Sequence, residues 1–227
     1  GGGACGKSVL FRVLSGEMLP TTGKVTLLGE DVHRLKGHKG AELLHKVGFA
    51  YQGGALLKSL SVLENVALPL LEVERLDWDE AHDRTMKLLS LLGLSQVAEL
   101  FPHSLSASEV KRTALARALA LEPQVVLCDD VFSGLGWRLQ DRLFELLLEL
   151  SDTKNLTVVV FTPAYDVALR FGDRVALLDT GKIIAEGPVE EIKALEDDTI
   201  RHILTPTRES FAAKRARDGG QPEGIAP

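Results

Sequence analysis

The first eight residues match the phosphate-binding pattern G-x-x-x-x-G-K-[ST] at every required position. Small residues let the backbone N–H groups curl around a phosphate, and the run that follows predicts a helix whose positive end faces the same anion. The pattern predicts that Lys7 contacts the outer phosphates and that the Ser8 hydroxyl binds Mg²⁺. A glycine-rich leader is the alternative, disfavoured by the spacing and the helical run. The predicted phosphate-binding residues are Gly1, Gly2, Gly3, Ala4, Cys5, Gly6, Lys7, Ser8 and Val9.

Two carboxylates, Asp129 and Asp130, follow an apolar run at residues 125–128. Such a run predicts a buried strand, and its end would bring both acids to one edge of a sheet. A phosphate loop needs a carboxylate for Mg²⁺, and Asp129 is the candidate. Asp130 then stands where a general base would polarise the attacking water. Two acids that end a strand in solvent are the simpler alternative, and the clean apolar run disfavours it.

The elements that would position these groups alternate between strands and helices. A strand at 47–52 delivers Gln52 before the flexible Gly53-Gly54 pair, and residues 61–100 have helical periodicity. Ser106 is a candidate N-cap for the next helix. The remaining predicted elements are strands at 24–29 and 156–161, helices at 41–46 and 138–150, and a hairpin around Thr180-Gly181. This alternation predicts an α/β fold with a mainly parallel sheet covered by helices.

Composition excludes several classes of protein. A chain of 227 residues with 45% hydrophobic content can bury the core of one large domain, or of one domain with an inserted lobe. The net charge of −6 argues against nucleic-acid binding. Cys5 and Cys128 are too few for a disulfide framework or a zinc site, which favours the reducing cytosol. No run predicts a membrane span or a secretory leader, so a membrane link is expected through a partner.

The order of these motifs resembles the ATPase subunits of ABC transporters over residues 1–188. Residues 47–56 and 61–70, with Phe132, are most similar to the Mla-type lipid-transport branch. The resemblance implies a P-loop NTPase domain at 1–204, with a helical subdomain at about 55–120. Residues 205–227 are expected to form a disordered tail. The strand that feeds the phosphate loop, and the aromatic residue that stacks on adenine in this family, are expected before Gly1.

The resemblance also implies ligands, roles and partners. ATP and Mg²⁺ are the expected cofactors, with Ser8, Gln52 and Asp129 as metal ligands and with Asp130 and Gln52 as catalytic residues. The expected partners are a membrane permease and a second ATP-binding subunit, and no nucleic acid. The expected location is cytoplasmic, on the inner face of the cell membrane. The transported molecule would be a lipid or phospholipid.

Three departures from the family pattern predict impaired hydrolysis. Leu105-Ser106-Ala107-Ser108-Glu109 replaces the Leu-Ser-Gly-Gly signature, and Ser133-Gly134-Leu135-Gly136 lacks the usual aspartate. Pro163 takes the place of the histidine that contacts the γ-phosphate. Losing one transition-state donor typically slows a reaction about 10²- to 10³-fold, whereas nucleotide binding depends on other groups. A nucleotide-sensing or scaffolding protein without hydrolysis is therefore the alternative function, and a P-loop kinase of small metabolites is disfavoured by Gln52 and the helical lobe.

Overall fold

The structure is a computed structural model that describes residues 5–34 and 38–195. Residues Gly1–Ala4 of the predicted phosphate loop and the predicted tail at 205–227 lie outside the described residues. The chain divides into two compact units, one spanning Gly6–Pro163 and the other joining Cys5 to the residues from Ala164 onward. The elements of the larger unit are α1 (Lys7–Leu14), β1 (Thr26–Leu27), β2 (Glu30–Asp31), α2 (His38–Lys46), β3 (Val47–Ala50), α3 (Val62–Glu72), α4 (Trp78–Leu91), α5 (Ala107–Leu119), β4 (Val125–Asp129), α6 (Trp137–Lys154) and β5 (Thr157–Phe161).

A parallel three-stranded sheet with the order β3-β4-β5 organises the larger unit. Its central strand, β4, is buried along its whole length, as its apolar sequence predicts. Phe11 of α1 is fully buried against the sheet, with its ring 5.6 Å edge-on from that of Phe161. The hydrophobic core around it contains Leu43, Val47, Val125 and Leu127. This core fixes α1 against the sheet, with Ser8 in the first turn of the helix near Asp129 at the end of β4.

Two predicted strands differ from the observed ones. In place of the single strand predicted at 24–29, the structure has a short hairpin of two two-residue strands, β1 and β2. The chain turns between them because Leu28 (φ 50°) and Gly29 (φ 84°) adopt left-handed conformations. The continuous apolar sequence at 156–161 predicts a strand, and β5 forms there, but Thr157 and Val159 are exposed whereas Phe161 is buried. The burial of a face depends on neighbouring elements, which the sequence of the strand itself does not specify.

Helices α3 and α4 lie within residues 61–100, where helical periodicity was predicted, and α5 follows the predicted N-cap Ser106. Helix α3 packs against both α4 and α5. Its N-terminus is a capping box in which Ser61 and Glu64 satisfy each other's backbone N–H groups. Helix α5 also packs on β3, where Gly48 allows the closest approach: a Cβ at this position would lie 2.1 Å from the carbonyl oxygen of Ala118.

The smaller unit contains α7 (Tyr165–Phe171), β6 (Arg174–Asp179), β7 (Lys182–Pro188) and α8 (Val189–Lys193). Strands β6 and β7 form the antiparallel hairpin predicted around Thr180-Gly181. Val175, Leu177 and Ile192 form the core of this unit. In the part of the chain that the structure describes, no helix combines the length and the apolar character that crossing a bilayer requires.

Candidate functional site

The described part of the phosphate loop ends in a left-handed Gly6 (φ 103°), which caps α1. The Gly6 carbonyl accepts a hydrogen bond from Leu10 N at 2.9 Å, so the helix begins at Lys7 with Ser8 in its first turn. The first turn of α1 contains no acidic residue. Its uncompensated N–H groups and the helix dipole therefore favour an anion at this end, as the sequence pattern predicts.

The Ser8 hydroxyl donates a hydrogen bond to the Asp129 carboxylate at the end of β4. Burial raises the pKa of Asp129 and the neighbouring Asp130 carboxylate adds to the rise, whereas the Ser8 hydrogen bond and the Lys7 charge oppose it. Hydroxyl and carboxylate oxygens are hard donors of the kind that Mg²⁺ prefers, and Mg²⁺ usually takes only one or two protein ligands beside phosphates. The pair therefore fits the predicted metal, and a bound cation would offset the accumulated negative charge.

The two residues predicted to be catalytic also meet. Gln52 Nε2 donates a hydrogen bond to Asp130 Oδ2 at 3.3 Å, and Ser133 Oγ donates to the same oxygen at 2.6 Å. The other oxygen, Oδ1, is buried and has no hydrogen-bond partner among the described residues. Asp130 has a left-handed backbone (φ 51°) that is held by its N–H, 2.8 Å from the Phe161 carbonyl oxygen. One carboxylate oxygen is thus fixed by two donors, and the other is buried without a donor among the described residues.

Lys111 of α5 is a site residue that the sequence interpretation did not identify. Its Nζ donates to Ser133 O at 2.7 Å, Asp130 O at 2.9 Å and Ser133 Oγ at 3.0 Å. One ammonium therefore closes the turn from Asp130 to Ser133. Locally, Lys111 is indistinguishable from a solvent-exposed helical lysine, because all three acceptors lie about 20 residues downstream. Only the tertiary structure could reveal it.

Two further residues fix the segment after Gln52. Arg117 of α5 donates to the carbonyl oxygens of Ala55 at 2.8 Å and Gly54 at 2.9 Å. Asn65 of α3 is fully buried, and its side chain bonds Leu57 N at 2.8 Å and Leu57 O at 3.0 Å. Burial lowers the pKa of Arg117. These bonds connect the loop after Gln52 to the helical segment formed by α3, α4 and α5. A movement of α3 or α5 would therefore displace this loop and shift Gln52.

The N-terminus of α5 is occupied by its own capping box. Ser106 Oγ donates to Glu109 Oε2 at 2.7 Å and accepts from Glu109 N at 3.3 Å, while Ser106 N donates to the same carboxylate at 2.8 Å. Glu109 places its negative charge at this helix end as the partner of Ser106. Its hydrogen bonds from the Ser106 hydroxyl and backbone hold the pKa of Glu109 below its usual range. The Ser106 hydroxyl is therefore engaged within the chain.

Comparison with known proteins gives concordant matches. The model of the ABC transporter family matches residues 1–133. The methionine import ATP-binding protein MetN of Geobacillus kaustophilus is 36% identical over 184 residues, which are 81% of this chain and 54% of that protein. The MetN protein of Caulobacter vibrioides is 38% identical over 192 residues, which are 85% of this chain and 58% of that protein. The chain thus spans about half the length of the curated relatives it matches.

Solved structures agree with the sequence relatives. The dimeric ABC transporter cassette MJ0796 superposes with a TM-score of 0.76 at 31% identity, covering 82% of this chain and 81% of that chain. CbiO1 from Clostridium perfringens, part of the ABC transporter complex CbiONQ, superposes with a TM-score of 0.71 at 25% identity, covering 94% of this chain and 85% of that chain. The predicted P-loop fold of the ABC ATPase type is confirmed.

The branch predicted within the family is not supported. Residues 47–56 and 61–70 suggested an Mla-type lipid-transport ATPase, but the curated relatives described above are named for methionine import. The lipid assignment depended on short segments around Gln52 and α3, whose observed contacts hold the loop after Gln52 in place. The family match over more than half of the sequence and the shared fold show that this chain belongs to the ABC transporter family, as an ATP-binding domain.

Proposed function

We propose that this chain binds Mg²⁺-ATP and couples it to a membrane permease that imports a small polar solute of the methionine type. The observation that carries the proposal is the meeting of Ser8, at the start of α1, with Asp129, at the end of β4, beside the Lys7 charge. This is the arrangement that P-loop ATPases use to hold a metal and a triphosphate. The names of the curated relatives supply the class of solute.

Each residue at the site has a separate proposed role. Lys7 and the loop N–H groups hold the outer phosphates, while Ser8 and Asp129 hold the cation. A bound Mg²⁺ would neutralise part of the phosphate charge. Gln52 is a third ligand candidate and links the site to the helical segment through the bonds of Arg117 and Asn65. Asp130 is the candidate base for the attacking water, a role for which its buried Oδ1 would have to become accessible.

Slow hydrolysis is part of the proposal. Asp130 has a side chain one methylene shorter than glutamate, and Ser133 and Gln52 hold one of its oxygens. Ser106 bonds to Glu109, which leaves its hydroxyl less available to a phosphate. Pro163 offers neither a side-chain donor nor an N–H. These observations also favour the second candidate function, a nucleotide-sensing subunit that binds ATP and does not turn it over.

The proposed partners are a permease and a second ATP-binding subunit, on the cytoplasmic face of the membrane. CbiO1 is described as part of a transporter complex, and MJ0796 is described as dimeric. Pairing would matter functionally, because in this family the signature of one subunit closes over the nucleotide of the other. A partner with an intact signature would then supply the donors that Ala107 and Ser108 do not.

The first experiment measures nucleotide binding and phosphate release with the purified full chain, Mg²⁺ and ATP. We expect saturable binding that Lys7→Ala weakens at least about 100-fold, as expected for the loss of a charged phosphate contact. Lys58→Ala changes an exposed lysine outside the site and should leave affinity unchanged. Absence of saturable binding to the wild-type chain would reject both candidate functions.

Phosphate release then separates the two candidates. Slow release that Lys7→Ala abolishes supports a transport ATPase, whereas binding without release supports the nucleotide sensor. The class of solute is tested by uptake of labelled methionine in cells that carry the chain with its permease. Uptake that is lost with Lys7→Ala supports methionine import, and uptake that is indifferent to Lys7→Ala rejects it.

A further inference from the structure

A cavity lies away from the residues assigned to nucleotide binding. Its volume is about 310 Å³, and it opens between α4, the C-terminal end of α5 and the C-terminal end of α6. None of Lys7, Ser8, Gln52, Asp129 or Asp130 lines it. Its wall is mainly aliphatic, formed by Leu70, Leu88, Leu91, Leu119, Leu150 and Leu156. A pocket with such a wall suits the apolar part of a small organic molecule.

The charged side chains that line this cavity include one cation without a partner of opposite charge within the described ranges. Arg84, Lys87 and Lys154 line it together with a single acid, Glu122. Lys154 Nζ lies 2.8 Å from Glu122 Oε1, and Arg84 pairs with Glu74, so those two cations are compensated. Lys87 is exposed and has no ion-pair or hydrogen-bond partner among residues 5–34 and 38–195. The cavity therefore offers one uncompensated positive charge, which favours an anionic ligand.

The wall also contains an unused hydrogen-bond donor. Thr85 lines the cavity with only 1% of its surface exposed, and its Oγ1 has no hydrogen-bond partner within the described part of the chain. The other threonines within described helices bond the carbonyl four residues before them: Thr113 at 2.8 Å and Thr153 at 2.6 Å. Buried hydroxyls are normally satisfied. Thr85 is thus an exception, and a ligand oxygen that reaches its buried Oγ1 through a small shift of the cavity wall would satisfy it.

We propose that this cavity binds a medium-chain aliphatic carboxylate. The alkyl chain packs among the leucines, and the carboxylate receives the Lys87 ammonium and the Thr85 hydroxyl. At about 30 Å³ per atom, the share that one water takes in the liquid, the cavity holds roughly ten non-hydrogen atoms. Octanoate has this size. Because the ligand would bridge α4 to the ends of α5 and α6, its binding gives the helical segment a second effector beside the nucleotide.

The test titrates the full chain, carrying ¹³C-methyl leucine labels, with sodium octanoate, 1-octanol and sodium acetate. We expect saturable octanoate shifts at Leu88, Leu91 and Leu119, with a dissociation constant of roughly 1 mM or tighter for a ligand of this size. At about ten times that constant, the thermal midpoint should rise by about 3–5 °C. Acetate, which lacks the chain, and octanol, which lacks the charge, should each bind at least about tenfold more weakly.

Two variants address the residues that carry the proposal. Lys87→Gln and Thr85→Val should each weaken octanoate binding about tenfold, the typical effect of losing a hydrogen bond to a charged group. Lys58→Gln changes an exposed lysine outside the cavity and should have no effect. Equal binding of octanol and octanoate, or shifts confined to leucines outside the cavity, would overturn the proposal. Neither outcome depends on nucleotide binding, because no nucleotide is present.

Discussion

Single residues in this protein act through bonds that the sequence does not reveal. The two residues proposed to bind Mg²⁺ could be predicted, because Ser8 and Asp129 belong to motifs of fixed spacing. The meeting of Gln52 with Asp130 could be expected as well, since both follow parallel strands that end at one edge of a sheet. Lys111 and Arg117 could not be found, because their acceptors are backbone carbonyls, and any residue type can supply those.

Lys111 provides a prediction at this scale. Lys111→Met removes three hydrogen bonds and leaves two half-buried carbonyls and the Ser133 hydroxyl with fewer donors. We expect the free energy of unfolding to fall by about 2–3 kcal/mol, as for a charged buried hydrogen-bond group. Urea denaturation measures it. Lys58→Met, at an exposed lysine, is the matched control and should change it by less than about 0.5 kcal/mol. An equal effect of both substitutions would contradict the role assigned to Lys111.

At the scale of elements, sequence patterns predict those segments that have one strong local signal. Strand β4 is apolar on both faces and central in its sheet, so prediction and structure agree. Strand β5 has an equally apolar sequence but is exposed on one face, because burial depends on neighbours that the strand itself does not specify. The hairpin at Leu28-Gly29 was missed for a similar reason. A leucine in a left-handed conformation carries no turn signal.

Helix α5 and strand β3 meet at Gly48, and this contact can be tested. Gly48→Ala would place a methyl group 2.1 Å from the Ala118 carbonyl oxygen, so backbone must move. We expect a loss of about 3 kcal/mol or more, in the upper range of overpacking effects. Gly53→Ala is the control, since a Cβ there meets nothing within 4 Å. Chemical denaturation compares the two variants, and comparable stabilities would show that β3 and α5 can separate freely.

The capping box of α5 predicts a pH dependence. Because the native pKa of Glu109 is lowered, its contribution to stability is complete above the ordinary glutamate pKa and is lost as pH falls through the native value. Glu109→Gln keeps the hydrogen-bonding shape without the charge, so its unfolding free energy should depend less on pH than wild type between about pH 6 and about pH 3. Ser106→Ala should cost about 1 kcal/mol at neutral pH. Parallel acid slopes for wild type and Glu109→Gln would exclude the proposed linkage.

At the scale of the whole molecule, ATP hydrolysis is proposed to be slow, and two substitutions should raise its rate. Asp130→Glu lengthens the candidate base, and Pro163→His supplies a side-chain donor at the position where the proposal places the γ-phosphate. We expect the double variant to release phosphate at least about 100-fold faster than wild type, the usual value of one transition-state donor. Steady-state phosphate release measures the gain. Adding Lys7→Ala to the double variant should abolish it, and an unchanged rate in the double variant would place the limitation elsewhere.

The outer edge of β5 has a consequence for handling the protein. Within residues 5–34 and 38–195, β5 is hydrogen-bonded to β4 on one side only, and its Val159 is 37% exposed. An unpaired edge with β-branched side chains is a template on which further strands assemble. Residues 1–227 on their own should therefore scatter more light as their concentration in solution rises. Val159→Lys adds a charge that opposes the association of strands, and it should reduce this light scattering.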